Sequence, residues 1–219
     1  MSCQKTIPRK FISLQKLNFS KDENSMLLRS ALCGFLAGDG SVQVRKVKTY
    51  YVHQIDFFPD DELMLMTYYN QVRKLYDKEP SVRIRDNVYH VRMTSRAIVE
   101  DLLENAQFGI KEWSVPYDLF SIQGAKEVWL KAFFSAEAYV GDNVIRIQTV
   151  NEKGMLQISK MLFDLGIDNR IYNYQPKNKN WSLVTIVSIN KKEARKKFFE
   201  KIGFWHSKKT KSLKKSLNL

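Results

Sequence analysis

The feature that most constrains this chain is a pattern of small residues four apart that occurs twice on predicted apolar helices. The first copy is LCGFLAGDG at 32–40, and the second is LKAFFSAEA at 130–138. Residues four apart lie above one another on a helix, so each pair of small residues leaves a smooth groove. Two such grooves allow two helix backbones to pack in close contact. The small residues are Gly34 and Gly38 in the first copy and Ala132 and Ala136 in the second.

An acid follows the second small residue in each copy, Asp39 in the first and Glu137 in the second. If the two grooves pack against each other, both acids meet at one end of the seam. Two carboxylates at close range repel each other unless a cation lies between them, and hard oxygen ligands suit Mg²⁺. The pattern therefore predicts a metal-dependent phosphodiester site at an interface between two repeats.

The predicted elements around the two copies follow one order: helix, two strands, helix, two strands, helix. The two acids are 98 residues apart, and Gly109 and Gly203, which follow the last helix of each copy, are 94 residues apart. This nearly constant offset indicates an internal duplication whose first hairpin is trimmed in the second copy. We therefore predict an α+β fold with a basic arm at 1–24, a first repeat at 25–118 and a second repeat with a basic tail at 119–219.

Apolar periodicity gives the expected element bounds. The first helix is expected to have Ser25 as its N-cap, and a later helix is expected to open at 59–62. The other helices are expected at 95–103, 125–137, 151–165 and 191–202. Strands are expected at 41–47, 50–58, 82–85, 88–93, 143–150, 169–174 and 181–189.

Composition narrows the class of partner. Lys and Arg number 36 against 23 acids, giving a net charge of +13, and 44% of residues are hydrophobic. The apolar content predicts a folded protein, and the basic excess favours nucleic acid over a membrane as partner. Cys3 lies in a polar arm and Cys33 in an apolar helix, so we expect no disulfide and a reducing, intracellular compartment: a prokaryotic cytoplasm or nucleoid, or an organelle matrix. No stretch has the length or apolarity of a membrane span.

Basic and amide side chains alternate with apolar residues along the predicted strands, which places them on the sheet faces opposite the core. Arg and Gln suit bidentate contacts to base edges, whereas an ordinary solvated face would mix in acids and Thr. The sequence therefore favours DNA contact over simple solvation. The expected DNA-binding residues are Gln43, Arg45, Lys46, Lys48, Arg83, Arg85, Arg92, Arg146, Gln148, Tyr174, Lys177 and Lys179.

The two copies and the elements that follow them, over about 27–215, resemble the paired signatures of the LAGLIDADG homing endonucleases. This resemblance implies a monomer that acts as a pseudo-dimer, with both signature helices at its centre and two curved antiparallel sheets forming a saddle on double-stranded DNA. It implies site-specific cleavage of both strands with short 3′ overhangs. The implied cofactor is Mg²⁺, with Mn²⁺ substituting and Ca²⁺ binding without supporting cleavage.

The resemblance also implies roles for particular residues. Asp39 and Glu137 become catalytic metal ligands, and the carbonyls of Gly38 and Ala136 approach the metal. A polar residue on the strand after each signature supports catalysis, and a basic residue follows each half. The supporting candidates are Gln54, Gln148, Lys111 and Lys209.

The second signature departs from the first at two positions. Ala132 replaces Gly34, and Ala138 replaces Gly40, which is awkward if the turn needs a positive φ. Phe57 or Phe58 occupies the place expected of a polar residue in the first half. We therefore expect an unusual set of supporting residues, or slow or asymmetric catalysis.

Two alternatives use the same fold. An intron maturase would bind intron RNA and would not need both acids, and a non-cleaving DNA-binding protein would tolerate the altered second signature. Retention of both acids favours the nuclease. The basic tail, with Lys208, Lys209, Lys211, Lys214 and Lys215, is either a phosphate clamp or a frayed end.

Overall fold

The computed structural model describes residues 19–85, 88–178 and 180–219 as two copies of one topology. The first copy contains α1 (Glu23–Ala37), β1 (Gly40–Val47), β2 (Tyr50–Phe57), α2 (Glu62–Tyr76), β3 (Ser81–Arg85), β4 (Val88–Thr94) and α3 (Arg96–Asn105). A short 3₁₀ helix, Tyr117–Ser121, joins it to the second copy. That copy contains α4 (Ala125–Glu137), β5 (Tyr139–Gly141), β6 (Val144–Thr149), α5 (Glu152–Asp164), β7 (Arg170–Tyr174), β8 (Val184–Ile189), α6 (Lys192–Lys201) and α7 (Ser207–Leu217).

Each copy builds a four-stranded antiparallel sheet, with strand orders β1-β2-β4-β3 and β5-β6-β8-β7. The two registers correspond: Ser41, two residues after the first acid, faces Asp56, and Tyr139, two residues after the second acid, faces Arg146. β1 has eight residues and β5 only three, so the first hairpin is trimmed in the second copy as predicted. The α+β class and the duplicated topology are confirmed.

Helices α1 and α4 pack against each other along the predicted seam. A Cβ built on Gly34 would lie 2.4 Å from the carbonyl oxygen of Trp129, and one built on Gly38 would lie 2.6 Å from the Cβ of Ala136. The Ser30 hydroxyl, one turn before Gly34, donates to the Ala125 carbonyl at 2.7 Å. Glycine is required at Gly34 because the backbone of α4 passes at contact distance, and at Gly38 because the Ala136 methyl group occupies the space.

Aromatic side chains fill the space between each sheet and its helices. In the first repeat, Phe35 of α1 packs against Phe57 and Tyr68, with ring centroids 5.2 and 5.9 Å apart. In the second repeat, Phe134 of α4 packs against Phe198 at 5.0 Å. The two helices therefore contribute to both the seam and the cores, which fixes the acids at their ends.

Three details differ from the expectations. Asp22, rather than Ser25, is the N-cap of α1, because its carboxylate accepts the Ser25 amide hydrogen at 2.8 Å. β8 begins at Val184, three residues later than expected. The tail is helix α7, with Leu213 and Leu217 buried, so it is not a frayed end. Residues 1–18 of the expected basic arm lie outside the described residues.

Side chains alternate between the two faces of each sheet as predicted, but the helices cover only part of the apolar face of the first sheet. Val44 and Ile84 lie on the same side of the first sheet as the buried Ile55, yet they are 48% and 70% exposed. Strands β1 and β3 extend beyond the helices that cover this side, which alternation alone does not reveal. Within the described ranges, no helix has the length and apolarity needed to cross a membrane.

Candidate active site

The two signature acids meet where α1 and α4 end. Glu137 is the last residue of α4, and Asp39 follows Gly38, the C-cap of α1. A Cβ built on Gly38 would lie 3.3 Å from Cγ of Glu137, so the acid-bearing ends of the helices are in contact. Helix C-termini carry partial negative charge. Two helix ends and two carboxylates therefore concentrate negative potential at one point.

Burial and neighbouring carboxylates raise the pKa of both acids. Burial raises the pKa of Glu137 to about 7, with Asp39 adding to the effect and Lys209 opposing it. Burial also raises the pKa of Asp39, against the effect of Lys209 and with a further contribution from Asp60. A bound cation would offset both effects.

A lysine from the far end of the chain reaches this point. The Lys209 ammonium, on α7, donates to the carbonyl oxygens of Ser135 and Ala136, each at 2.6 Å. Burial lowers the pKa of Lys209, while nearby carboxylates, Asp60 and both signature acids among them, act in the opposite direction. The structure therefore brings Lys209 to the acids, and its ammonium binds the Ala136 carbonyl that the resemblance assigns to a metal.

The other basic candidate, Lys111, does not lie beside the two acids. Lys111 lies exposed in the turn after α3 and makes no contact with either acid among the described residues. Lys111 lies in the turn that leads to the 3₁₀ helix between the repeats, whereas Lys209 lies on α7, and the described residues between α3 and α4 contain no equivalent α-helix.

Helix α7 is tied to the first repeat by residues that sequence reasoning missed. The buried His206 places Nε2 3.2 Å from an Asp60 carboxylate oxygen, and its Nδ1 accepts the Lys209 amide hydrogen at 3.4 Å. Asp61 caps α2 and also accepts the Ser207 amide hydrogen at 3.1 Å. The sequence signal was limited to Asp60 and Asp61 as acids at a helix start.

The mirrored position in the other repeat makes a similar contact. Asn151 caps α5, and its amide donates to the Trp113 carbonyl at 2.7 Å. Each repeat therefore uses the N-cap of its second helix to hold the chain segment that follows the other repeat's last helix. This exchange fixes the start of α7, and with it Lys209.

The donor set fits a hard divalent cation. Among the described residues, no group of three or more His, Cys, Asp or Glu side chains converges on a metal position. The protein would supply the carboxylates of Asp39 and Glu137 and main-chain carbonyls. Mg²⁺ commonly retains several waters and binds one or two carboxylates together with substrate phosphate oxygens. Two partly buried acids at the C-terminal ends of helices match this preference.

The departures in the second signature have physical explanations. Ala138 is extended, at φ −75° and ψ 136°, so this turn needs no left-handed residue. In the first copy, glycine is needed for space, because a Cβ on Gly40 would lie 2.6 Å from Cα of Leu36. Replacement of Gly40 by alanine in the second copy is therefore tolerated by the backbone.

The two candidate supporting glutamines are not equivalent in position, as expected from the presence of Phe57 or Phe58 at the aligned place in the first half. Since Asp56 corresponds to Arg146 by register, Gln148 corresponds to Phe58, not to Gln54. Gln54 instead donates to Asp56, and its oxygen accepts from Arg45 at 3.3 Å. The second repeat thus carries an exposed amide where the first carries a phenyl ring.

Strand registers place most of the expected DNA-binding residues on the open sheet faces. On the first sheet they lie opposite the buried Ile55 and Phe57, and on the second opposite Ile145 and Ile147. The Arg146 guanidinium lies over the Tyr139 ring, 5.4 Å from its centroid. The residues on these faces are Gln43, Arg45, Arg83, Arg92, Arg146, Gln148 and Tyr174.

The remaining candidates lie elsewhere. Lys46 alternates to the opposite side of β1 from Arg45, and Lys48 lies in the hairpin turn with φ +54°. Lys177 is exposed in the loop after β7. Lys179 and the side chain of Arg85 lie outside the described part of the structure.

Known proteins have folds similar to that of this chain. The family of LAGLIDADG-like domains matches residues 126–203. Mesophilic variants of the homing endonuclease I-DmoI match with a TM-score of 0.66 at 16% identity, over 82% of this chain and 97% of that chain. The LAGLIDADG meganuclease I-AabMI, bound to uncleaved DNA, matches with a TM-score of 0.53 at 12% identity, over 87% of this chain and 89% of that chain.

A third similar structure is the N-terminal LAGLIDADG domain of DUF199/WhiA, with a TM-score of 0.56 at 16% identity, over 85% of this chain and 84% of that chain. No curated protein sequence matches the chain at a meaningful level of significance. At these identities the structural matches establish the fold alone. Residues 126–203, within the second repeat, match the family of LAGLIDADG-like domains, and the chain as a whole has the two-repeat fold of the LAGLIDADG homing endonucleases.

Proposed function

We propose that this protein is a site-specific, double-strand DNA endonuclease that depends on a divalent metal. The observation that carries the proposal is the meeting of Asp39 and Glu137, one from each repeat, at the ends of two close-packed helices. The raised pKa of Glu137, about 7, supports a cation at this point. I-DmoI, which shares the fold, has been solved in complex with DNA and Mn and with DNA and Ca.

The chain's own residues would divide the work. Asp39 and Glu137 would hold Mg²⁺, with Mn²⁺ substituting and Ca²⁺ binding without supporting cleavage. When bound, the metal would lower the pKa of an attacking water and stabilise charge on the leaving oxygen. The Lys209 ammonium would neutralise charge at the scissile phosphate, and Gln148 would orient the water of one strand. Cuts across one narrow groove would leave short 3′ overhangs.

Binding would rely on the two open sheet faces of a single chain acting as a pseudo-dimer. The exposed Arg and Gln side chains on these faces suit base edges and phosphates, and a net charge of +13 favours a polyanion. The exposed lysines of α7, Lys208 and Lys211 among them, would add phosphate contacts.

One observation favours a second function, a DNA-binding protein that does not cut. The Lys209 ammonium already binds the Ala136 carbonyl, which a metal would otherwise approach. A protein that retains this contact when DNA is bound would still bind DNA through its sheet faces. It would not place a metal at the Ala136 carbonyl and would not cut.

Cleavage of a randomised double-stranded DNA library separates the two functions. We expect recurrent cut ends with Mg²⁺ and none with Ca²⁺. The variants Asp39→Asn and Glu137→Gln should abolish cutting and leave binding nearly intact, because each removes a metal ligand without removing a sheet contact. Asp118→Asn, at an exposed acid of the 3₁₀ helix that precedes the start of α4, at the opposite end of that helix from Glu137, is the matched control and should cut normally.

The contrary outcomes are equally clear. DNA that is bound but never cut would establish the non-cleaving function. If the protein binds no duplex, intron RNA becomes the ligand to test, as for a maturase. If both acid variants lose binding as fully as cutting, the acids are structural.

A further inference from the structure

A buried acid lies on the open face of the first sheet. Asp56 sits on β2 between Ile55 and Phe57, whose side chains are buried under the helices, so the Asp56 side chain points to the face expected to meet DNA. Even so, Asp56 is only 4% exposed. An acid beneath a DNA-binding surface would repel phosphate unless its charge were neutralised by neighbours.

Three side chains surround that carboxylate. Arg92 donates from Nε to Oδ1 at 2.7 Å, His90 places Nε2 2.6 Å from the same oxygen, and Gln54 donates to Oδ2. Burial raises the pKa of Asp56, but the hydrogen bonds from Gln54, Arg92 and His90 outweigh it and hold that pKa below its ordinary value. The acid is therefore an ionised anchor for its neighbours.

The contact with Asp56 leaves the two outer nitrogens of the Arg92 guanidinium available. Its Nε donates to Asp56 and its side chain remains 45% exposed, and among the described residues no hydrogen bond uses Nη1 or Nη2, so both are available to a ligand. Two parallel N–H donors match the O6 and N7 acceptors of guanine in the major groove. Because Asp56 fixes the guanidinium plane before binding, less side-chain entropy is lost on contact.

The surrounding residues hold this group near the cleavage point. The His90 ring stacks on Phe58, with centroids 4.7 Å apart and an interplanar angle of 18°. Asp56 faces Ser41, which follows Asp39 by two residues. Two strand residues span about 7 Å. Ser41, Asp56 and Arg92 lie side by side on neighbouring strands, so Arg92 lies close to the acids and to the centre of the bound DNA.

The second repeat has no equivalent of the Asp56–Arg92 pair among the described residues. Arg146 occupies the position of Asp56, and Ser188 occupies that of Arg92. The Arg146 guanidinium rests on the Tyr139 ring, and no ion pair with an acid holds it among the described residues. The two halves would therefore read their central bases by different means.

We propose that Arg92, oriented by Asp56, reads one guanine near the centre of the half-site bound by the first repeat, and that Asp56 is its positioning residue. This inference rests on DNA binding by the open faces, as in the proposed function, but does not require cleavage. It predicts that the target is asymmetric at its centre.

The test is selection of bound sequences from a randomised duplex library in Ca²⁺, using the full chain. Wild type should enrich guanine at one central position. Arg92→Ala and Arg92→Lys should lose about tenfold of that preference, since a bidentate contact discriminates by roughly 1–3 kcal/mol. Asp56→Asn should relax the same position without weakening overall affinity, because it removes a negative charge.

Arg96→Ala is the matched control, because Arg96 is also an exposed arginine whose Nε donates to a carboxylate, that of Glu100 at 2.7 Å, but it lies on helix α3 and not on the open sheet face. It should leave the central preference intact. A uniform loss of affinity for Arg92→Ala, with no change in the preferred bases, would overturn the inference and make Arg92 a phosphate contact. So would an unchanged preference in Arg92→Lys, which retains the charge and is the variant least prone to misfold.

The two proposals fail separately. A wild type that selects a guanine through Arg92 but never cuts in Mg²⁺ would retain this inference and overturn the nuclease. A wild type that cuts a site whose central preference ignores Arg92 and Asp56 would do the reverse.

Discussion

Glu137 shows how one partly buried carboxyl couples folding to pH. Its pKa in the folded protein is about 7, above the ordinary value of 4.5, because burial and Asp39 disfavour the charged form. The folded state therefore holds this proton more tightly than the unfolded state does, and the free energy of unfolding falls as pH rises from about 4.5 to 7. The difference corresponds to on the order of 3 kcal/mol.

Glu137→Gln should remove this dependence, because the amide resembles the protonated acid. We expect urea unfolding at pH 8 to show the variant more stable than wild type by about 1–3 kcal/mol, with little difference at pH 4. Mg²⁺ at pH 8 should stabilise wild type and have less effect on the variant. Glu112→Gln, at an exposed turn, should change neither result. If the free energy of unfolding of wild type and of Glu137→Gln depended equally on pH, the raised pKa of Glu137 in the folded protein would be wrong.

At the scale of elements, the seam between α1 and α4 decides where the acids lie. Gly34 faces the backbone carbonyl of Trp129, whereas Gly38 faces the Cβ of Ala136. The two glycines thus meet different kinds of neighbour: one is main chain that cannot be removed, and the other is a methyl group that can. This difference can be tested by moving a single methyl group across the seam.

Gly38→Ala should destabilise the protein by about 1–3 kcal/mol through overpacking. Adding Ala136→Gly should recover much of that loss, because the methyl group then occupies the space vacated on α4. Gly34→Ala should cost at least as much, and Ala132→Gly should not rescue it, since the Trp129 carbonyl remains 2.4 Å away. Asn24→Ala, exposed on α1, serves as the control for helix substitutions. Equal rescue of both glycine variants, measured by thermal unfolding, would refute this packing.

At the scale of the whole molecule, the two halves share a fold but not a set of supporting side chains. Gln148 in the second repeat corresponds to Phe58 in the first. Lys209 binds carbonyls beside Glu137, while Asp60 and His206 lie on the side of Asp39. A nuclease with these unequal halves would cut the two DNA strands at different rates.

We therefore expect unequal strand cutting. On a supercoiled plasmid that carries the target, open-circular DNA should accumulate before linear DNA, with the two rates differing by about tenfold or more, as for loss of one positioning contact. Phe58→Gln should narrow the difference by supplying the missing amide, and Gln148→Ala should slow one strand only. Direct conversion of supercoiled to linear DNA, with no nicked intermediate, would contradict the expected asymmetry.

The sequence by itself determined the duplicated topology, the bounds of α4, the seam and the meeting of Asp39 with Glu137. These follow from local rules: helical and strand periodicity assign elements and faces, and small residues four apart demand a close helix partner. The hydrogen bond from Arg45 on β1 to Gln54 on β2 had no such rule, because strand register decides which polar side chains of neighbouring strands meet.

Only the tertiary structure decided the remaining contacts. Lys209 reaches the Ala136 carbonyl across 73 residues of sequence, and Arg92 reaches Asp56 across 36. Neither pair has a local signal, since a charged side chain looks the same whether it is solvated, ion-paired or aimed at DNA. Their partners are set by the docking of one repeat against the other and by the order of strands in the sheet, which bring together residues that the chain itself keeps far apart.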